Sequence, residues 1–149
     1  MDKQISLHAS CVALDGLAVL LRGSSGSGKS DLALRLVEAG GILVADDQTK
    51  LTVTEDGQIL TSPPPILAGL LEVRGLGLMR LPYRSAVPLL TVFDLVPMAR
   101  IERYPEPQFI DLLGVKLPLW QIDPFTASAV AKIKVSVQNQ LNHHKEPVP

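Results

Sequence analysis

The segment Gly23-Ser24-Ser25-Gly26-Ser27-Gly28-Lys29-Ser30 fits the pattern of a glycine, four residues, then Gly-Lys-Ser. Such a loop holds phosphate for a physical reason. Glycines let the backbone curl until successive N–H groups point inward at an anion. A helix that follows adds the positive end of its dipole. Lys29 is then placed to reach the β- and γ-phosphates of a nucleotide, and the Ser30 hydroxyl to ligate Mg²⁺. Asp46-Asp47 ends a short apolar run, and two carboxylates there suit metal handling and proton abstraction. The alternative is a pair of turn-forming or capping aspartates. Glu72 and Arg74 flank Val73, so both project from one side of an extended chain, and a solvent ion pair accounts for them equally well.

The elements that must position these groups follow from pattern. Leu17-Ala-Val-Leu-Leu21 reads as a strand and Ser30 to Ala39 as a helix, with Leu32, Leu36 and Ala39 on one stripe. Gly40-Gly41 stops the helix. Ile42-Leu-Val-Ala45 is a continuous apolar run, expected of a strand covered on both faces. Strand, helix and strand make a right-handed crossover, which brings Asp46-Asp47 to the sheet edge beside the phosphate loop. Ile5 to Leu14 alternates and is joined to the Leu17 strand by Asp15-Gly16, a hairpin signal. If those two residues form the loop, Leu14 pairs with Leu17, and the same register sets His8 opposite Gly23. A bulge in either strand would break that alignment.

The rest of the chain carries less chemistry. Lys50 to Thr61, with Asp56-Gly57, reads as a second hairpin, and Ser62-Pro-Pro-Pro65 as rigid and extended. Val87 to Leu95 is an apolar strand whose Pro88 suits an edge or entry position. Ala99 to Tyr104 is a charged loop or short helix, and Pro105 to Pro118 reads as irregular with one apolar turn at Phe109 to Leu113. Asp123-Pro124 signals a helix start, and Phe125, Ala129, Ile133, Val137 and Leu141 recur every four residues. Residues 142–149 read as a polar tail after a domain over 1–141, with His143-His144 disordered rather than metal-binding.

Composition bounds the class. The 149 residues suit one domain with a proper core. With 14 basic against 15 acidic residues and a net charge of −1, there is no electrostatic case for nucleic acid or an anionic membrane. A single cysteine, Cys11, excludes an internal disulfide framework and suits a buried structural thiol in a reducing compartment. The polar start, Met1 to Ser6, lacks a signal-type segment, and no apolar run approaches a membrane span. A cytoplasmic protein is expected.

Three features, in order, resemble the HPr kinase/phosphorylase family, as its catalytic domain alone without the N-terminal domain. They are His8-Ala-Ser ahead of the loop, the loop and helix running to Leu43-Val-Ala-Asp-Asp47, and Leu71-Glu-Val-Arg-Gly-Leu-Gly-Leu78. The similarity covers about residues 5 to 80. It implies an α/β fold, a P-loop kinase domain with a mixed β-sheet and a C-terminal helix. It also implies an ATP- and Mg²⁺-dependent serine kinase of the phosphocarrier HPr, and a homo-oligomer, a hexamer in that family. By position, the family's active-site histidine falls on His8, its loop lysine on Lys29 and its proton-transferring aspartate on Asp47. Mg²⁺ falls on Ser30 and Glu72, and the catalytic arginine on Arg103, with Arg100 the alternative. The arginine-rich loop linked to phosphorolysis in the family has no counterpart around Lys116 to Ile122, and the terminal helix is shorter here. Two other readings remain: a P-loop kinase of a small molecule, and a non-catalytic nucleotide-sensing module.

Overall fold

The structure is a computed structural model describing residues 3–143; the end of the expected polar tail, His144 included, lies outside the described residues. Strands β1 (Gln4–Leu7), β2 (Ala9–Leu14) and β3 (Leu17–Arg22) precede helix α1 (Lys29–Glu38) and strand β4 (Ile42–Ala45). Then come β5 (Thr49–Val53), β6 (Ile59–Ser62), β7 (Leu70–Val73), β8 (Gly77–Arg80) and β9 (Val87–Leu95). The chain ends with β10 (Gln108–Leu112), β11 (Val115–Ile122) and α2 (Ala129–His143). Nine strands form one mixed sheet in the order β1-β5-β6-β9-β3-β2-β4, with the β10–β11 hairpin added to β9; β7 and β8 pair separately. This is the expected α/β class with a mixed sheet and a C-terminal helix.

The hairpin register holds as the sequence implies: β2 and β3 pair from Leu14↔Leu17 to Ala9↔Arg22. Asp15 and Gly16 both have positive φ, 52° and 80°, which matches the twist of a two-residue hairpin loop. The run from Ile5 to Leu14 is not one strand, however. It bends at His8, where β1 leaves to pair with β5 while β2 stays on β3. β4 runs antiparallel to β2 and so parallel to β3, which makes β3-α1-β4 a crossover passing over β2.

Both faces of the central strands are covered, which is why β4 is apolar throughout and β3 apolar up to its last residue, Arg22. Val19, Leu21, Leu32, Leu36, Phe93 and Ile133 pack in one cluster between the sheet and the two helices. Cys11, Leu20, Leu51, Ile59, Val92 and Leu117 fill the opposite face. Helix α1 stops where expected: Gly40 takes φ 108°, and the Gly41 N–H donates to Leu36 O at 2.9 Å. A side chain at Gly41 would collide with Val12 Cγ1 at 2.8 Å. Among the described residues, no helix is long and apolar enough to cross a membrane.

Two further expectations need correction. The stretch Pro105 to Pro118 is not irregular; it contains the antiparallel pair β10–β11, registered from Gln108↔Leu119 to Leu112↔Val115. Its turn places Leu113 at φ 53° before Gly114 at 82°, and leucine carries no turn signal. Pro118 lies within β11, and its carbonyl accepts from Thr91 Oγ1 at 3.1 Å. The final helix begins at Ala129 rather than at Asp123-Pro124. Asp123 instead closes a turn, its Oδ1 accepting the Phe125 N–H at 2.9 Å and its Oδ2 the Met98 N–H at 2.9 Å. From Ala129 onward the expected stripe is real, with Ala129, Ile133 and Val137 buried.

Burial pushes the Cys11 thiol from its ordinary 9.0 up to about 12, a nearby Thr61 hydrogen bond opposing the shift. Between those values the folded state holds a proton that the unfolded chain releases, so this contribution to stability is intact below pH ~9 and is lost as pH rises toward ~12. Iodoacetamide at pH 8 is expected to label the protein only in denaturant, and Cys11→Ala to flatten the alkaline fall in urea-unfolding stability. Fast labelling of the native protein would contradict the burial.

Candidate functional site

The sheet edge at the ends of β3 and β4 gathers the chemistry. Arg22, the last residue of β3, forms a two-pronged ion pair with Asp94 of β9, Nε to Oδ1 at 2.8 Å and Nη2 to Oδ2 at 3.0 Å. This fork ties the neighbouring strands together one residue before the phosphate loop. Inside the loop, Gly26 and Gly28 take φ 80° and 100°, the left-handed region that glycine enters freely. Gly23 is glycine for lack of space: a Cβ there would lie 2.4 Å from Ser27 Oγ and 3.3 Å from Leu95 Cβ. Ser27 Oγ is itself buried without a hydrogen-bond partner.

Lys29 is nearly buried at 6 % exposure, and its Nζ donates to Gly23 O at 2.7 Å and Ser24 O at 3.0 Å. Its ammonium is thereby held at the mouth of the loop with a third hydrogen left to donate.

The two aspartates divide their work. Asp46 points inward: Oδ1 accepts from Ser30 Oγ at 2.7 Å and from Ser10 Oγ at 2.8 Å, and Oδ2 accepts the Glu72 N–H at 3.1 Å. Asp47 points outward. Its φ is 66°, and the Gln48 N–H donates back to Asp46 O at 2.7 Å, so Asp47 sits at the apex of a γ-turn with positive φ, the rarer and more strained form. Strain of this kind gathers at functional positions. The outward carboxylate meets His8, with Nε2 2.9 Å from Asp47 Oδ1 and both side chains more than half exposed.

A cleft of about 550 Å³ collects these groups. His8 and Asp47 lie along it with Ser25, Gly26, Gly28, Lys29 and Ser30 of the loop. Glu72 and Arg74 from β7 and its turn also reach it, and no ion pair joins those two among the described residues. Arg103 and Arg100 are not in its lining; the Arg103 guanidinium rests 5.5 Å from the centre of the Tyr104 ring. The register argument finds His8, and the crossover rule finds Asp46 and Asp47. Arg74 was visible only as one side of an extended segment. Phe125, which also lines the cleft, was hidden by a periodicity that assigned it to the core stripe of α2. Ser10, fully buried on β2, entered only as the last residue of the His8-Ala-Ser feature.

The donor chemistry suits a polyphosphate with a hard divalent ion. Ser30 donates its hydrogen to Asp46 and so keeps its oxygen lone pairs free to ligate, and the Glu72 carboxylate stands in the same cleft.

Asp46→Ala would strand three donors, and a loss of about 1–3 kcal/mol in urea unfolding is expected; an unchanged midpoint would show that these bonds are dispensable. Gly23→Ala is expected to lose about 1–3 kcal/mol through crowding. Adding Ser27→Ala should return part of it, and a double variant no better than the single would show that Ser27 is not the obstacle.

Comparison with known proteins shows the family. Residues 1–84 match the HPr Serine kinase C-terminal domain family. The HPr kinase/phosphorylase of Peptoclostridium acidaminophilum is 37 % identical over 111 residues, covering 74 % of this chain and 36 % of that protein. The one from Lacticaseibacillus casei (strain BL23) is 39 % identical over 121 residues, covering 76 % and 37 %. The chain thus spans little more than a third of the length of these relatives. The solved HPr(Ser) kinase/phosphatase of Coxiella burnetii superposes with a TM-score of 0.84 over 95 % of this chain and 99 % of the other, at 22 % identity, a likeness of fold. With more than half of its residues matched by the family and three-quarters aligned to curated members, the chain belongs to the HPr serine kinase C-terminal domain family.

Proposed function

We propose that the protein is an ATP-dependent serine kinase acting on an HPr-type phosphocarrier protein, and so a regulator of a phosphotransferase system. The observation that carries this reading is the convergence on one cleft of the phosphate loop, Lys29, Glu72 and the His8–Asp47 pair. Family membership supports it, as does the name HPr kinase/phosphorylase carried by the relatives.

Phosphoryl transfer depends on positioning and charge neutralisation more than on covalent help. The loop amides and Lys29 hold the β- and γ-phosphates and draw off developing negative charge. Bound Mg²⁺ supplies further neutralisation, and Ser30 and Glu72 are the residues that would hold it. Asp46 keeps the Ser30 hydroxyl aimed by accepting its hydrogen. Asp47 takes the proton from the acceptor serine, the general-base role. His8, 2.9 Å from that carboxylate, orients it. Arg103 is assigned to the transferring phosphoryl group on its sequence context alone. The forward, kinase direction is the one proposed, because this chain lacks the arginine-rich loop near Lys116 to Ile122.

Mixing the purified protein with an HPr-type protein, Mg²⁺ and γ-labelled ATP is expected to label a serine of the phosphocarrier. Asp47→Asn preserves the left-handed turn, since asparagine tolerates that conformation, and is expected to lower the transfer rate by roughly 10²–10⁴-fold. Transfer at the wild-type rate by this variant would remove Asp47 from the reaction.

A further inference from the structure

The lining of the cleft is mixed: beside the charged His8, Asp47 and Lys29 it includes the apolar side chains of Phe125, Leu34 and Val73. Phe125 is the unusual member. The residue is 73 % exposed, yet its backbone is tightly held. The Asp123 carboxylate accepts its N–H at 2.9 Å, Thr126 Oγ1 donates to Asp123 O at 3.1 Å, and an Arg35 guanidinium N–H donates to the Pro124 carbonyl. Ring and loop are in contact: a Cβ on Gly28 would fall 3.2 Å from Phe125 Cζ and 3.3 Å from Pro124 Cγ. A residue this exposed gains little from its own burial. It is instead a preformed flat face next to a phosphate site.

We propose that Phe125 is the stacking surface for the nucleobase of the phosphate donor, with Leu34 and Val73 of the same cleft adding apolar surface. The inference rests on the kinase reading and deepens it. A nucleoside triphosphate is a charged chain joined to a flat heterocycle, and the cleft offers both charged and apolar side chains at a volume of about 550 Å³, within the range of small-molecule sites. Every base offers a π-face, so a phenyl surface favours nucleotides over base-free polyphosphates without selecting strongly among bases.

The test is calorimetric titration of the full chain with Mg-ATP and, separately, with magnesium tripolyphosphate, which has the phosphates and no base. Phe125→Ala is expected to weaken ATP binding about 10-fold, the size of one base–aromatic stack, while tripolyphosphate binding stays within about two-fold. Phe125→Trp restores ATP affinity, and Phe125→Leu, which keeps apolar bulk without a π-face, does not. An equal loss for both ligands, no loss for ATP, or a change confined to the KM for the phosphocarrier would overturn the proposal. Wild-type protein that binds neither ligand would overturn the kinase reading itself, an outcome separate from ATP binding that ignores Phe125.

Discussion

One carboxylate holds the site together. Asp46 accepts hydrogen bonds from Ser10 on β2, from Ser30 at the start of α1 and from the backbone of Glu72 on β7. These segments are distant in sequence, and β7 belongs to a separate two-stranded sheet. Bonds to an ionised acceptor are roughly twice as strong as neutral ones. A shared acceptor also fixes the three donors relative to one another. The position of the Glu72 side chain in the cleft is thereby coupled to the position of the loop serine.

The adjacent Asp47 lines the cleft while Asp46 is committed to its three donors. In an extended chain neighbouring side chains face opposite ways, and the γ-turn at Asp47 sharpens that division, turning the second carboxylate out toward His8. The left-handed φ of 66° costs energy in almost any residue, and least in Asp, Asn or Gly. Lys29 shows the complementary economy. Its ammonium is kept nearly buried by two loop carbonyls, so in the proposed reaction the cation waits within the loop and exchanges those carbonyls for phosphate oxygens.

Much of this was readable beforehand where the physics is local. Asp15-Gly16 sets the hairpin register, which carries His8 to the mouth of the loop, although the strand bends at that residue. The four apolar residues before Asp46 mark a buried strand, and a strand-helix-strand crossover makes it parallel to β3, so both end at the edge that carries the loop. The errors arise where tertiary context overrides local preference. Leu113 accepts a left-handed conformation because the β10–β11 hairpin needs one, and Pro118 is tolerated within β11, where its carbonyl still finds Thr91. Phe125 fits a four-residue repeat yet lies ahead of the helix, because the Asp123 carboxylate is committed to the Phe125 and Met98 amides. No periodicity argument detects that commitment, and it is what turns a presumed core residue into part of the cleft.

The central claim is that loop, lysine and paired aspartates form one phosphate-binding centre. A crystal structure with Mg²⁺ and a non-hydrolysable ATP analogue tests it most directly. The account predicts the triphosphate within the curl of Gly23 to Ser30, with Lys29 Nζ turned from Gly23 O and Ser24 O onto phosphate oxygens and Asp46 still bonded to Ser10. A triphosphate bound elsewhere, or a loop that stays closed over Lys29 at saturating analogue, would contradict it.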